Sequence, residues 1–260
     1  MTSDAGGTTT NKTAIITGGS RGLGRNTAVN LARRGVDIIF TYHAKQQEAE
    51  TVVREIEGIG RKAAAFQLDT GDTRTFDGFA SDVRKTLEKW GRERFDFLVN
   101  NAGSGLDGVK FMDTTEAQFD GVVNVQFKGV YFLTQKLLPL MNDGGRIVNI
   151  SSGLARVAIP GSSAYAAVKG AIEVFTRYLA KELAPRQITA NVVAPGPTQT
   201  DFSGGMVRDN PKVNKMISQM TALGRPGVPD DIGPMIASLL SDDNRWVNAQ
   251  RIEVSGGFAL

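Results

Sequence analysis

Short apolar runs alternate with longer amphipathic segments along the chain. The runs read TAIIT (13–17), VDIIFT (36–41), KAAAFQL (62–68), FDFLVN (95–100), GRIVNIS (145–151), ITANVVA (188–194) and QRIEV (250–254). Several are almost continuously apolar, which is the pattern of parallel strands covered on both faces. The intervening segments, 22–34, 45–57, 73–90, 116–142, 163–184 and 229–241, read as helices. Gly35 follows the first of them and marks its C-terminal stop. This alternation predicts an α/β fold: a doubly wound, Rossmann-type parallel sheet of about seven strands with helices on both faces. The domain is expected to span residues 12–260, after a disordered polar lead-in over 1–11. No internal repeat or linker interrupts it. The stretch 201–224 departs from the pattern, with a Gly pair, an Asn-Pro break and scattered Met and Phe. It reads either as a surface insertion or as a substrate-binding flap over a pocket.

Composition narrows the chemistry. The 260 residues are 41% hydrophobic and 22% charged, ordinary for a globular chain long enough to bury a large core. A formal charge of +3, with basic residues scattered, offers no footprint for nucleic acid or a membrane surface. The absence of cysteine excludes disulfides, zinc–thiolate sites and a catalytic thiol. A single histidine, His43, excludes a multi-histidine metal site, and no metal is expected. No apolar run approaches the roughly 20 residues of a membrane span, and the polar start lacks a signal-peptide core. The expected location is cytoplasmic. Chemistry must then come from Ser, Tyr, Lys, Asp or Glu, or from a cofactor.

TAIITGGSRGLGRN sets Gly18, Gly22 and Gly24 between the first strand and the first helix. Glycines there let the backbone turn tightly and approach a pyrophosphate, and the helix N-terminus supplies free N–H groups. The spacing is T-G-x-x-x-G-x-G rather than G-x-G-x-x-G. Further along stand NNAG (100–103), ISS (150–152), Tyr165 thirteen residues after Ser152, Lys169, PGPTQTD (195–201), GRPGVPDDI (224–232) and SGG (255–257). In this order, over residues 12–260, the chain resembles the short-chain dehydrogenase/reductase family, and in particular its NADP-dependent ketoreductases and 3-oxoacyl-thioester reductases.

The resemblance implies a cofactor site and a catalytic group. Gly18, Ser20, Arg21, Gly22, Leu23 and Gly24 form the dinucleotide loop. Asp69 bonds the adenine amino group, Thr70 adds a backbone contact, and Asn100, Asn101, Ala102 and Gly103 pack along the adenosine ribose. Pro195 and Gly196 turn the chain so that Thr198 and Thr200 meet the nicotinamide carboxamide and the pyrophosphate. For Asp69 and both threonines, a local capping role stays open.

An acid at the end of the second strand binds the ribose hydroxyls in folds of this kind, whereas a basic residue favours a 2′-phosphate. Asp37 stands at the wrong end of its strand, and the other end reads TYHAK with no acid before Glu48. Arg21, with Thr41, Tyr42 and Lys45, makes a basic pocket that rewards an extra dianion, and His43 reads either as a further member or as a solvated loop residue. NADP(H) is therefore expected over NAD(H).

Tyr165 and Lys169 lie one helical turn apart on one face. A free tyrosine has a pKa of about 10, and a neighbouring ammonium favours the phenolate. Tyr165 is the expected acid/base, Lys169 its tuner and ribose ligand, and Ser152 the group orienting the carbonyl. The family usually adds a helix asparagine holding a water beneath the lysine. Here Gln126 stands at that position, and Asn124 is about 200° away round a regular helix. The expected function is carbonyl–alcohol interconversion by a homotetramer, with helices 116–142 and 163–184 pairing between subunits. A non-catalytic NADP(H)-sensing protein on the same fold is the alternative. The segments that would choose the small-molecule substrate are 104–112, 153–162 and 201–222.

Overall fold

Side chains that alternate across each strand decide the layering. Ile15, Ile39, Leu98 and Ile147 face one buried cluster, while Ala14, Ile16, Ile38, Phe40, Phe97, Val99 and Val148 face the other. These central strands are thus apolar on both sides and must be covered twice. The computed structural model describes residues 12–106 and 108–260. The lead-in expected over 1–11 lies outside the described residues.

The strands are β1 (Thr13–Ile16), β2 (Asp37–Tyr42), β3 (Ala63–Gln67), β4 (Phe95–Asn100), β5 (Met141–Ile150), β6 (Thr189–Pro195) and β7 (Arg251–Val254). They form one seven-stranded sheet in the order β3-β2-β1-β4-β5-β6-β7, with every pairing parallel. Helices α1 (Gly22–Arg33), α2 (Gln46–Gly58) and α9 (Pro229–Leu239) cover one face. On the other lie α3 (Phe76–Lys89), α5 (Gly129–Leu137) and α6 (Ser163–Glu182), with α4 (Glu116–Val123) entering α5. The strand order reverses between β1 and β4, so the crevice at their C-terminal ends is the binding position of such a sheet.

Two expectations are corrected. The helix read over 116–142 is interrupted. A π-turn at Asn124–Lys128 separates α4 from α5, and a short 3₁₀ turn at Leu138–Leu140 ends it. Pro139 supplies no N–H to continue the helix, and β5 already begins at Met141, earlier than the strand read at 145. The π-turn lies where α5 must approach the loop after β3. A Cβ on Gly129 would collide with the Thr70 carbonyl oxygen, so only glycine permits that contact. The stretch 201–224 is also more regular than its composition suggested. It holds α7 (Met206–Asp209) and α8 (Pro211–Met220), the latter capped by the Asn210 side chain on the N–H groups of Lys212 and Val213.

A buried polar ladder locks the middle layer. Asn100 and Asn149 are register partners on β4 and β5. The Asn100 amide donates to Thr134 Oγ1 at 3.0 Å and to Asn149 Oδ1 at 2.8 Å. Asn149 donates in turn to Thr176 Oγ1 at 2.9 Å, and Thr176 to the Ile172 carbonyl at 2.7 Å. This ladder ties α5, β4, β5 and α6 together at the height where the site begins.

Asp37 has a different use, at the opposite end of the sheet. It is 1% exposed and pairs with Arg61 and Arg92, each at 2.6 Å, while accepting the Lys62 N–H at 3.0 Å. Removing the carboxylate takes a buried ion-pair partner from both guanidinium groups. Asp37→Ala is expected to cost about 3–5 kcal/mol, a fall in Tm of roughly 6–20 °C in thermal unfolding followed by circular dichroism.

Candidate active site

Two turns at the crevice are held against each other by one threonine. Thr17 Oγ1 accepts the backbone N–H groups of Asn101 and Ala102, both at 2.9 Å. The Asn101 amide returns the contact, donating to the carbonyls of Thr17 and Gly18 at 2.8 and 3.1 Å. Thr41, at the end of β2, accepts from the Gly18 N–H at 3.1 Å. The loop then enters α1 under tight constraint: a Cβ on Gly24 would collide with the Gly18 carbonyl oxygen. Arg21 stands at the N-cap without a side-chain capping bond. The first turn of α1 is thus an uncapped helix N-terminus, with donors and partial positive charge suited to a diphosphate.

The basic residues expected to face the cofactor each lie against an acid. Arg21 is half-exposed and lies 4.0 Å from Asp201. Asp201 also accepts from Arg208, which holds its carboxyl below the usual carboxylate range. Lys45 pairs with Glu48 at 2.7 Å, and His43 Nε2 lies 3.9 Å from Asp69 Oδ2. The other Asp69 oxygen accepts the Gly71 N–H at 2.8 Å. Tyr42 lines a groove beside α2, with Gln46, Ala49 and Val53.

Expectations for the two neighbouring asparagines divide. Asn101 joins the glycine loop. Asn100 does not: its side chain is buried in the ladder to Thr134 and Asn149, because successive strand residues face opposite sides. Thr200 Oγ1 accepts the Phe202 N–H at 3.1 Å and so caps a short turn, while lying beside Gly22. Thr198 Oγ1 donates to the Gly196 carbonyl at 2.9 Å, and Gly196 is pinned to β7 through Val254 at 3.0 Å. Pro195 is the last residue of β6. Thr17 and Thr41 act as clamps that the glycine spacing alone did not disclose.

Ser152, Tyr165 and Lys169 collect at the end of β5. Ser152 follows the strand in extended conformation, and its Oγ accepts the Leu154 N–H at 3.2 Å. Tyr165 sits in the first turn of α6, 8% exposed, packed in a cluster with Val122, Val168, Leu106 and Leu154. Lys169 is 5% exposed. Its Nζ donates to the Ile150 carbonyl at 2.9 Å and lies 5.5 Å from the centre of the Tyr165 ring. Burial pushes the Lys169 ammonium from 10.5 down to about 7. Phe202, from the segment after β6, sets its ring 6.1 Å from that of Tyr165.

Gln126 is buried inside the π-turn. Its amide nitrogen donates to the Ser104 carbonyl at 2.6 Å, and its Oε1 is buried without a hydrogen-bond partner. A π-turn shifts the helical phase, so the regular-helix angle between Asn124 and Gln126 does not apply here. No group of three or more His, Cys, Asp or Glu side chains suited to a metal ion occurs among the described residues. Nor is any helix among them long and apolar enough to cross a membrane.

A Rossmann-type sheet with a glycine loop at its switch point and a buried Tyr–Lys pair defines a class of dinucleotide-dependent oxidoreductases. Comparison with known proteins agrees. A family model described as enoyl-(acyl carrier protein) reductase matches residues 18–259. The 3-oxoacyl-[acyl-carrier-protein] reductase FabG of Staphylococcus aureus is 36% identical over 251 residues, covering 96% of this chain and 98% of its own. Among solved structures, the promiscuous reductase LugOII, which catalyses keto-reduction at C1 during lugdunomycin biosynthesis, superposes with a TM-score of 0.92. It is 39% identical, covering 97% of this chain and 100% of its own. The landomycin C-6 ketoreductase LanV, with bound NADP and rabelomycin, superposes with a TM-score of 0.88 at 35% identity, with 98% of each chain covered. The chain belongs to the short-chain dehydrogenase/reductase family of oxidoreductases.

The depressed Lys169 pKa has a sign that can be measured. Below pH 7 the folded protein carries the ammonium in a dry site and bears the full cost. Between about 7 and 10.5 the folded site has released a proton that the unfolded chain still holds, so this group's contribution to stability rises with pH. Lys169→Met is expected to raise Tm by about 3 °C or more at pH 6, with the gain closing by pH 10. A gain independent of pH would contradict the assignment.

Proposed function

We propose that this protein is an NADP(H)-dependent ketoreductase that interconverts a carbonyl and an alcohol. The observation that carries the proposal is the burial of Lys169 and Tyr165 together, ammonium 5.5 Å from the ring, at the end of the strand that leads into Ser152. When bound, NADPH supplies the hydride. The uncapped first turn of α1, with Gly18, Ser20, Gly22, Leu23 and Gly24, holds the diphosphate, and Arg21, with Thr41, Tyr42 and Lys45 at the end of β2, takes the 2′-phosphate. Asp69 and Thr70 meet the adenine, Asn101, Ala102 and Gly103 line the adenosine ribose, and Pro195, Gly196, Thr198 and Thr200 border the nicotinamide.

Ser152 Oγ donates to the substrate carbonyl oxygen and fixes its direction. Tyr165 Oη gives that oxygen a proton, and Lys169 favours the resulting phenolate. Gln126 Oε1, an unpaired acceptor behind the NNAG turn, suits a water that resupplies the relay. Residues 201–224 act as the substrate flap, and Phe202 offers an aromatic wall beside Tyr165. That wall favours flat, apolar ketones, and the rabelomycin held by LanV supports this choice. The exposed Phe119, Tyr131, Phe132, Val174 and Tyr178, on α4, α5 and α6, support pairing of these helices between subunits, and the reading places the protein in the cytoplasm as a homotetramer.

NADPH oxidation with a panel of aromatic and aliphatic ketones tests the reading. Tight NADPH binding with no turnover on any of them would make the protein a sensor. Tyr165→Phe is expected to lower kcat about 10²–10⁴-fold with NADPH affinity intact; normal turnover would remove Tyr165 from the proton path. Arg21→Ala is expected to weaken NADPH binding about tenfold or more while NADH stays within about twofold. Equal losses would overturn the 2′-phosphate assignment.

A further inference from the structure

Behind the site runs a chain of charged side chains that the reaction itself does not use. Ser151, buried and directly preceding Ser152, donates through its hydroxyl to Glu173 Oε1 at 2.7 Å. The same hydroxyl lies 3.3 Å from the Lys169 carbonyl. Glu173 Oε1 also accepts from Arg251 Nε at 2.7 Å. Arg251 continues to Glu253 Oε2 at 2.9 Å and, with its remaining nitrogen, to the Ser152 carbonyl at 3.4 Å. Arg156 closes the far end with two bonds of 2.9 Å to Glu253, and reaches the carbonyls of Phe258 and Ala259.

The location of this chain matters. The Ser151 N–H makes a sheet bond to the Val193 carbonyl at 2.8 Å. After it the backbone leaves the sheet and enters the 3₁₀ turn Gly153–Ala155, so Ser152 stands just past the strand's end. Lys169 stands on a different element, α6. One carboxylate oxygen, on Glu173, joins the two: forward through Ser151 to the strand end, and through Arg251 to the Ser152 carbonyl. Two arginines and two glutamates cancel in charge. Glu173 and Arg251 are only 16% and 25% exposed, so neither charge is left to solvent alone.

We propose that Glu173 and Arg251 are positioning residues for the reaction, holding the Ser152 backbone and the Lys169 turn of α6 in one fixed relation from behind the site. The physical reason is the steep dependence of hydride and proton transfer on placement, where a shift of about 1 Å costs on the order of a hundredfold in rate. Neither residue touches the reacting groups. Glu173 is four residues beyond Lys169 on α6, and Arg251 comes from the first position of β7. The C-terminal strand thereby enters the geometry of a site built on β5 and α6. This inference rests on the oxidoreductase reading.

The test uses the full-length protein with Glu173→Ala and Glu173→Gln. The amide oxygen of glutamine still accepts from Ser151 and Arg251, whereas alanine offers nothing. Glu173→Ala is expected to lower kcat about tenfold or more with ketone KM within about twofold, and Glu173→Gln to stay within about threefold of the unsubstituted protein. Amide hydrogen exchange over residues 150–155 is expected to quicken in the alanine variant and not in the glutamine variant. Unchanged kcat in both, equal loss in both, or unchanged exchange at 150–155 overturns the proposal. Should Glu173→Ala not accumulate as folded protein, Arg251→Lys takes its place. It keeps the charge but loses the fork, and kcat is expected to fall about threefold or more; full activity would overturn the proposal. If the unsubstituted protein turns over no ketone, it is the functional reading that fails, and exchange alone decides the positioning.

Discussion

Lys169 places an ammonium where water barely reaches, against the Ile150 carbonyl and beside the ring of Tyr165. Burying that charge opposes folding, and the surrounding structure is arranged to sustain it. The helix bearing Lys169 is fastened to β5 by the Asn149–Thr176 bond, and β5 to β4 and α5 through Asn100 and Thr134. Each neutral bond contributes about 1 kcal/mol net, but leaving one member unpaired costs more. The ladder therefore enforces a single relative placement of four elements. The lysine occupies the end of that placement, where strand β5 stops and the crevice opens.

A second constraint is close approach. Gly24 against the Gly18 carbonyl brings α1 down onto the loop, and Gly129 against the Thr70 carbonyl brings α5 onto the turn after β3. Between them the NNAG turn is clamped by Thr17. These contacts leave the N-terminus of α1 open and aim it at the same crevice that receives Tyr165 and Lys169. The open helix N-terminus and the buried Tyr–Lys pair thus share one wall. The segment after β6 covers that wall, with Phe202 on the tyrosine ring and Asp201 near Arg21.

Much of this was legible along the chain. The apolar runs locate all seven strands, and FDFLVN coincides with β4 residue for residue. The spacing of Gly18, Gly22, Gly24, Ser152, Tyr165 and Lys169 identifies the family. Asp37 stands at the wrong end of its strand for a ribose contact, and the structure gives it another use, between Arg61 and Arg92. The π-turn inside the 116–142 helix was not legible, because the contact beside it, Gly129 on the Thr70 carbonyl, joins residues more than fifty positions apart in sequence. Asn100 was misplaced for a related reason. Two adjacent asparagines look alike in a string, and only the pleat decides which one enters the core.

The sequence by itself determined the order of elements, the two apolar faces of the central strands and the residue types available for chemistry. Local propensity and periodicity reside in consecutive residues, so they survive without coordinates. Only the tertiary structure decided which polar groups meet. The Asn100–Asn149 ladder, the bond from the Gln126 amide to the Ser104 carbonyl and the path from Ser151 through Glu173 to Arg251 join residues far apart in the chain. Hydrogen bonds and ion pairs are directional and act over about 3 Å, so their partners are chosen by packing rather than by sequence spacing.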